Sequence, residues 1–209
     1  DVWQELTLAR CAVLANLPGR LRVHESALVE DCPRLLGLPR GLRVRKSLTL
    51  ADCPQASRWP DELEVRESLV IKGRGALPDD GEYHFLHGNL DLHEFEGLRA
   101  LPPGLLIQGS LDLRDQRGLA TLPDDLHVGF LLDLSGCAGL RALPEHLLVG
   151  FAVDVAGTRI ASVPDGGGRP RLLWNGIPVT ERIAFQPGRM KPEELLDERN
   201  PLRRRVMLD

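Results

Sequence analysis

Asp91, Asp112, Asp133 and Asp154 recur at intervals of 21 residues. On neighbouring coils of a repeat, such residues stack ~5 Å apart, inside the ~8 Å screening length at physiological salt. Carboxylates that close repel one another and favour a cation or a basic partner. The same position in earlier coils is held by Thr7, Leu28, Thr49 and Val70, so the acidic strip begins halfway along the chain. Calcium is not expected there, because loop oxygens are needed beside the carboxylates. Cys11, Cys32 and Cys53 share the 21-residue spacing, and Cys137 holds the same place in a later coil. Zinc needs ligands converging from several directions, usually with a C-x-x-C pair, and the sequence has no such pair. A buried ladder of small residues at the strand-to-turn corner is expected instead, with Arg74, Phe95, Gln116 and Thr158 at the equivalent position of other coils. His84, His87 and His93 lie close in sequence, but no nucleophile, base and orienter fall into a recognisable motif. No catalytic residue, metal or cofactor is expected, and the chain does not read as an enzyme.

These columns require a repeat to position them. Prolines 18, 39, 60, 78, 102, 123, 144 and 164 each follow Leu, Trp or Val, at intervals of 21, 21, 18, 24, 21, 21 and 20 residues. A fixed period in the low twenties indicates a solenoid whose coils bury their apolar faces against one another. Each coil carries two short alternating segments, such as Leu42-Arg43-Val44 and Leu48-Thr49-Leu50. Alternation with period two is a strand signal, so stacked coils should form two facing parallel sheets. Residues 75–90 break the period, and Tyr83, His84, Phe85 and His87 fall within the break. Insertions in repeat arrays emerge as loops and are frequent contact sites. Tyr83, Phe85 and His87 therefore join the aspartates as candidate partner-binding residues.

The run Leu132-Asp133-Leu134-Ser135-Gly136-Cys137-Ala138-Gly139-Leu140-Arg141-Ala142-Leu143-Pro144 resembles the bacterial leucine-rich repeats of about this length. The likeness extends from residue 6 to about residue 164. It implies a mainly β leucine-rich-repeat solenoid of about eight coils that binds other proteins. Residues 1–168 are assigned to that solenoid. Residues 169–209 are expected to form a C-terminal cap with two short helices, the first entered at Pro192 and the second capped by Asn200. This segment, through Trp174–Val179 and Glu198–Met207, also resembles an uncharacterised bacterial domain, which carries no activity over.

Composition narrows the function. Residues 76–168 hold 5 Lys/Arg against 14 Asp/Glu, while residues 1–75 hold 12 against 10. The acidic middle should repel phosphate, so no nucleic-acid partner is expected. Arg22, Arg43, Arg45, Lys46 and Arg66 give the first coils a basic patch, with Glu25, Glu62, Glu64 and Glu67 interspersed as in a solvated mixed face. No apolar run approaches the ~20 residues of a membrane span. Four cysteines do not make a disulfide scaffold, and a cytoplasmic setting is expected, with a secreted effector as the alternative. Asp1 opens partway through a coil, so the N-terminus is expected to be processed or trimmed. The function expected is a noncatalytic protein–protein interaction scaffold whose acidic strip meets a protein with a basic surface. The alternative is an accessory or regulatory subunit, or a targeting domain, of an enzyme complex.

Overall fold

Leu48-Thr49-Leu50 shows how one coil is built. Leu48 and Leu50 are buried while Thr49 between them is half-exposed, because successive side chains of a strand point to opposite faces. The computed structural model describes residues 1–60, 62–78, 82–160, 171–174 and 177–178. In it, one strand of each turn joins a ten-stranded sheet in the order β1 (Leu6–Ala9), β3 (Ala27–Glu30), β5 (Leu48–Ala51), β7 (Ser68–Lys72), β9 (Asn89–Asp91), β11 (Leu111–Asp112), β13 (Leu131–Asp133), β15 (Ala152–Asp154), β16 (Arg171–Trp174) and β17 (Ile177–Pro178). The other strand joins a seven-stranded sheet of β2 (Arg22–Val23), β4 (Arg43–Val44), β6 (Glu62–Val65), β8 (His84–Leu86), β10 (Leu105–Ile107), β12 (His127–Val128) and β14 (Leu148–Val149). All pairings are parallel except β16 with β17.

The two sheets enclose one aliphatic core. Leu69, Leu90, Leu111 and Leu132 point inward from the larger sheet, and Leu86, Ile107 and Val128 meet them from the smaller. Narrow coils suit Leu and Val, since the interior between two sheets is only ~10 Å deep.

Each turn must bend sharply where it leaves the larger sheet. Arg10, Asp31, Asp52, Gly73, Asp115, Gly136 and Gly157 occupy one column there, with φ between 50° and 77°. Glycine and aspartate tolerate this left-handed geometry better than most residues. In four turns the next residue faces inward and satisfies a carbonyl of the turn before, whereas Arg74 at the same place is exposed. Cys32, Cys53, Gln116 and Cys137 each donate to a carbonyl 24 residues earlier, on Leu8, Val29, Leu92 and Leu113. The buried ladder expected at these positions is therefore present, and all four thiols are unpaired.

The expectation of a leucine-rich-repeat solenoid of about eight coils with an α-helical cap is corrected. The chain is a parallel β-solenoid of about seven turns, walled by strands on both sides, with no helix among the described residues. At the start of the expected cap, where residues 171–179 read as a short strand and turn ahead of the helices, Arg171–Trp174 forms a strand in register with β15, and Ile177–Pro178 folds back on it. Ladder hydrogen bonding decides this stretch, since Leu172 continues the inward column of Leu132 and Val153 while Leu173 lies beside Asp154. The helices expected from Pro192 and Asn200 lie outside the described residues. No helix among the described residues is long and apolar enough to cross a membrane.

Candidate functional site

Asp91, Asp112, Asp133 and Asp154 each end a strand of the larger sheet, and each is the Cα partner of the next. The column predicted from the 21-residue spacing therefore exists. Its local cause is a turn. The Oδ1 of each aspartate accepts the backbone N–H two residues on, from His93 (3.1 Å), Arg114 (3.0 Å), Ser135 (2.9 Å) and Ala156 (3.0 Å). Asp side chains favour such turns because the carboxylate mimics a backbone acceptor. Here it satisfies an N–H that is leaving the sheet.

Beyond that shared bond the four sites diverge. His93 Nδ1 lies 2.6 Å from Asp91 Oδ1. That contact, with the surrounding carboxylates, holds the His93 imidazole above its ordinary pKa, against an opposing effect of burial. Arg114 grips Asp112 through Nε and Nη2 at 2.6–3.0 Å and reaches Asp133 Oδ2 at 3.9 Å. Ser135 donates its hydroxyl to Asp133 at 2.6 Å. Asp154 is only 6% exposed, at the point where β16 sets Leu173 opposite it. Three carboxylates of the column thus face outward, and the fourth is enclosed.

Asp91, His93 and Asp112 offer ligand atoms within 4.8 Å of one another, close enough for a metal ion. The chemistry argues against one, because the Arg114 guanidinium already engages both oxygens of Asp112. A metal would have to share that carboxylate with a fixed positive charge. The negative column is answered from within by a guanidinium.

Tyr83, Phe85 and His87 lie elsewhere. Residues 84–86 are not part of a loop; they form β8 in the smaller sheet, opposite Leu105–Ile107. His84 and Leu86 are buried and Phe85 faces outward, across the core from the aspartates. Phe85 meets His87 edge-on with ring centroids 4.8 Å apart, His87 Nδ1 lies 3.4 Å from Gln108 Oε1, and Tyr83 is exposed. The aspartates and these aromatics therefore occupy opposite faces.

Two features escape a reading of single motifs. Phe130 and Phe151, one turn apart, stack in the open at the corner between the sheets. Trp3 stacks on His24, with centroids 4.1 Å apart and planes 16° from parallel. The 21-residue spacing that links positions 3, 24, 45 and 66 could have revealed the second. No protein-family model, curated protein or solved structure matches this chain.

Proposed function

We propose that the solenoid is a noncatalytic protein-interaction scaffold, and that the outer face of its larger sheet receives a Lys/Arg-rich surface of another protein. The observation that carries this reading is the in-register placement of Asp91, Asp112 and Asp133 on three adjoining strands. Arg114, lying between Asp112 and Asp133, marks where a partner's guanidinium would sit. Complementary charge raises the association rate and selects the partner more than it adds raw affinity.

The test is binding of a Lys/Arg-rich peptide to the protein and to its Asp91→Asn/Asp133→Asn variant, at low and high salt. Asparagine keeps an oxygen for the turn and removes the charge, so the fold is retained. Binding that weakens in the variant and with salt supports the reading. Equal binding by both proteins overturns it.

A further inference from the structure

Over its first three strands the outer face of the smaller sheet is rich in arginine. Arg22 and Arg43 are Cα partners on β2 and β4, pointing outward from the smaller sheet, and Glu64 continues their column on β6. A second column runs two residues further on, through Trp3, His24, Arg45 and Arg66. It is held in step by the Val2–Val23 bridge and by the Arg45 and Arg66 amides bonding back to Val23 and Val44. Between the columns lies a shallow cleft of about 160 Å³, floored by Val23 and Val44. Four arginines line it against one carboxylate.

Glu64 shows what these arginines bind. Its carboxylate takes Arg43 Nε at 2.8 Å and lies 3.8 Å from Arg66 Nη2. One turn away, Arg22 and Arg45 are exposed and have no acidic partner among the described residues. Arginine's planar fork suits carboxylates. Arg22 and Arg45 stand on opposite edges of the cleft, one strand and two residues apart, ~8 Å across the diagonal of the ladder. Alternate side chains of an extended peptide, ~6.7 Å apart, come within reach of both long arginine side chains. His24 lines the N-terminal end of the cleft, and the exposed Trp3 stacks on it.

We propose that this cleft is a second interaction site that takes an extended acidic peptide, with Arg22 and Arg45 receiving Glu or Asp side chains in the manner of Glu64 with Arg43. It lies on the other sheet, over β2, β4 and β6, in turns that precede the aspartate column, and stands or falls independently of it. The scaffold would then engage partners of opposite charge on its two faces.

The probe is a short alternating Glu/Ser peptide, titrated calorimetrically into the full chain. An oligouridylate of matched length and inorganic phosphate serve as competitors. The expected result is salt-sensitive binding that Arg22→Gln/Arg45→Gln weakens about tenfold or more, as loss of two hydrogen bonds to charged groups requires. The Asp91→Asn/Asp133→Asn variant should bind the acidic peptide unchanged. Unaltered binding by the arginine variant overturns the proposal, and so does stronger binding of the oligouridylate than of the peptide. Circular dichroism of the arginine variant distinguishes a lost site from a lost fold, and loss of binding with the spectrum intact supports the proposal.

Discussion

Asp112 and Asp133 are directly opposed on adjoining parallel strands, yet a single guanidinium, that of Arg114, serves both. Like charges facing each other across a ladder are destabilising unless something intervenes. Arg114→Ala should leave two uncompensated carboxylates on the outer face. Because the pair is half-exposed, the stability loss should be about 1 kcal/mol or less, a fall in Tm of about 2–4 °C. The same variant should bind a basic peptide more tightly than the parent. A thermal melt and one titration check both signs.

His93 gives the column a pH dependence. Its contact with Asp91, aided by nearby carboxylates, raises its pKa above the unfolded value of ~6.5. A group whose folded pKa is raised stabilises the native state while it is protonated. That contribution is complete below the unfolded pKa and disappears as pH rises through the higher native value. An NMR titration should place the His93 midpoint above that of the unfolded chain, and Asp91→Asn should lower it.

The thiols should differ sharply in reactivity. Cys32, Cys53 and Cys137 are buried, and burial lifts Cys53 and Cys137 to about 11. Cys11 lies in the first described turn and is half-buried. A thiolate-specific reagent at pH 8 should label Cys11 in the native protein and reach the other three only on denaturation. Rapid native labelling of Cys53 would contradict the packing.

Gln116 carries more hydrogen bonding than any cysteine of its column. Its Nε2 donates to the carbonyls of Leu92 (2.7 Å), His93 (3.2 Å) and Phe95 (3.1 Å). Gln116→Leu would take the donor from the His93 and Phe95 carbonyls, while Leu92 keeps the Phe95 amide, at a cost of about 1–3 kcal/mol. Gln116→Cys should recover part of it, since Cys137 meets Leu113 in the same way. Chemical denaturation of the three proteins orders them.

Periodicity made the columns legible. Once each turn is 21 residues, Asp112 must lie beside Asp133 and Cys32 beside Cys53. What periodicity does not convey is the direction in which a residue spends its hydrogen bonds. The aspartates read as a bare acidic strip because their role in the turn depends on the amide two residues later, a local signal available in the sequence. The recurrence of Asp or Gly at 31, 52, 73, 115, 136 and 157 likewise marked the left-handed corners. The placement of Phe85 and His87 was misread for a different reason. His84-Phe85-Leu86 has a histidine where other turns have an aliphatic residue, yet His84 packs edge-on against Trp59 in the core and keeps the strand register. The two faces of the scaffold could not be told apart until that strand was placed.

The reversal at β17 has a consequence for how the molecule behaves in company. A stack of parallel rungs is a template, and an open end of it can recruit the same rung from another molecule. At the C-terminal end of the larger sheet the last described strand runs the other way. That strand is two residues long, and one of them, Pro178, has no N–H to give, so it offers an incoming rung little to pair with. So short an edge disfavours end-to-end polymerisation of a fold whose geometry would otherwise invite fibres.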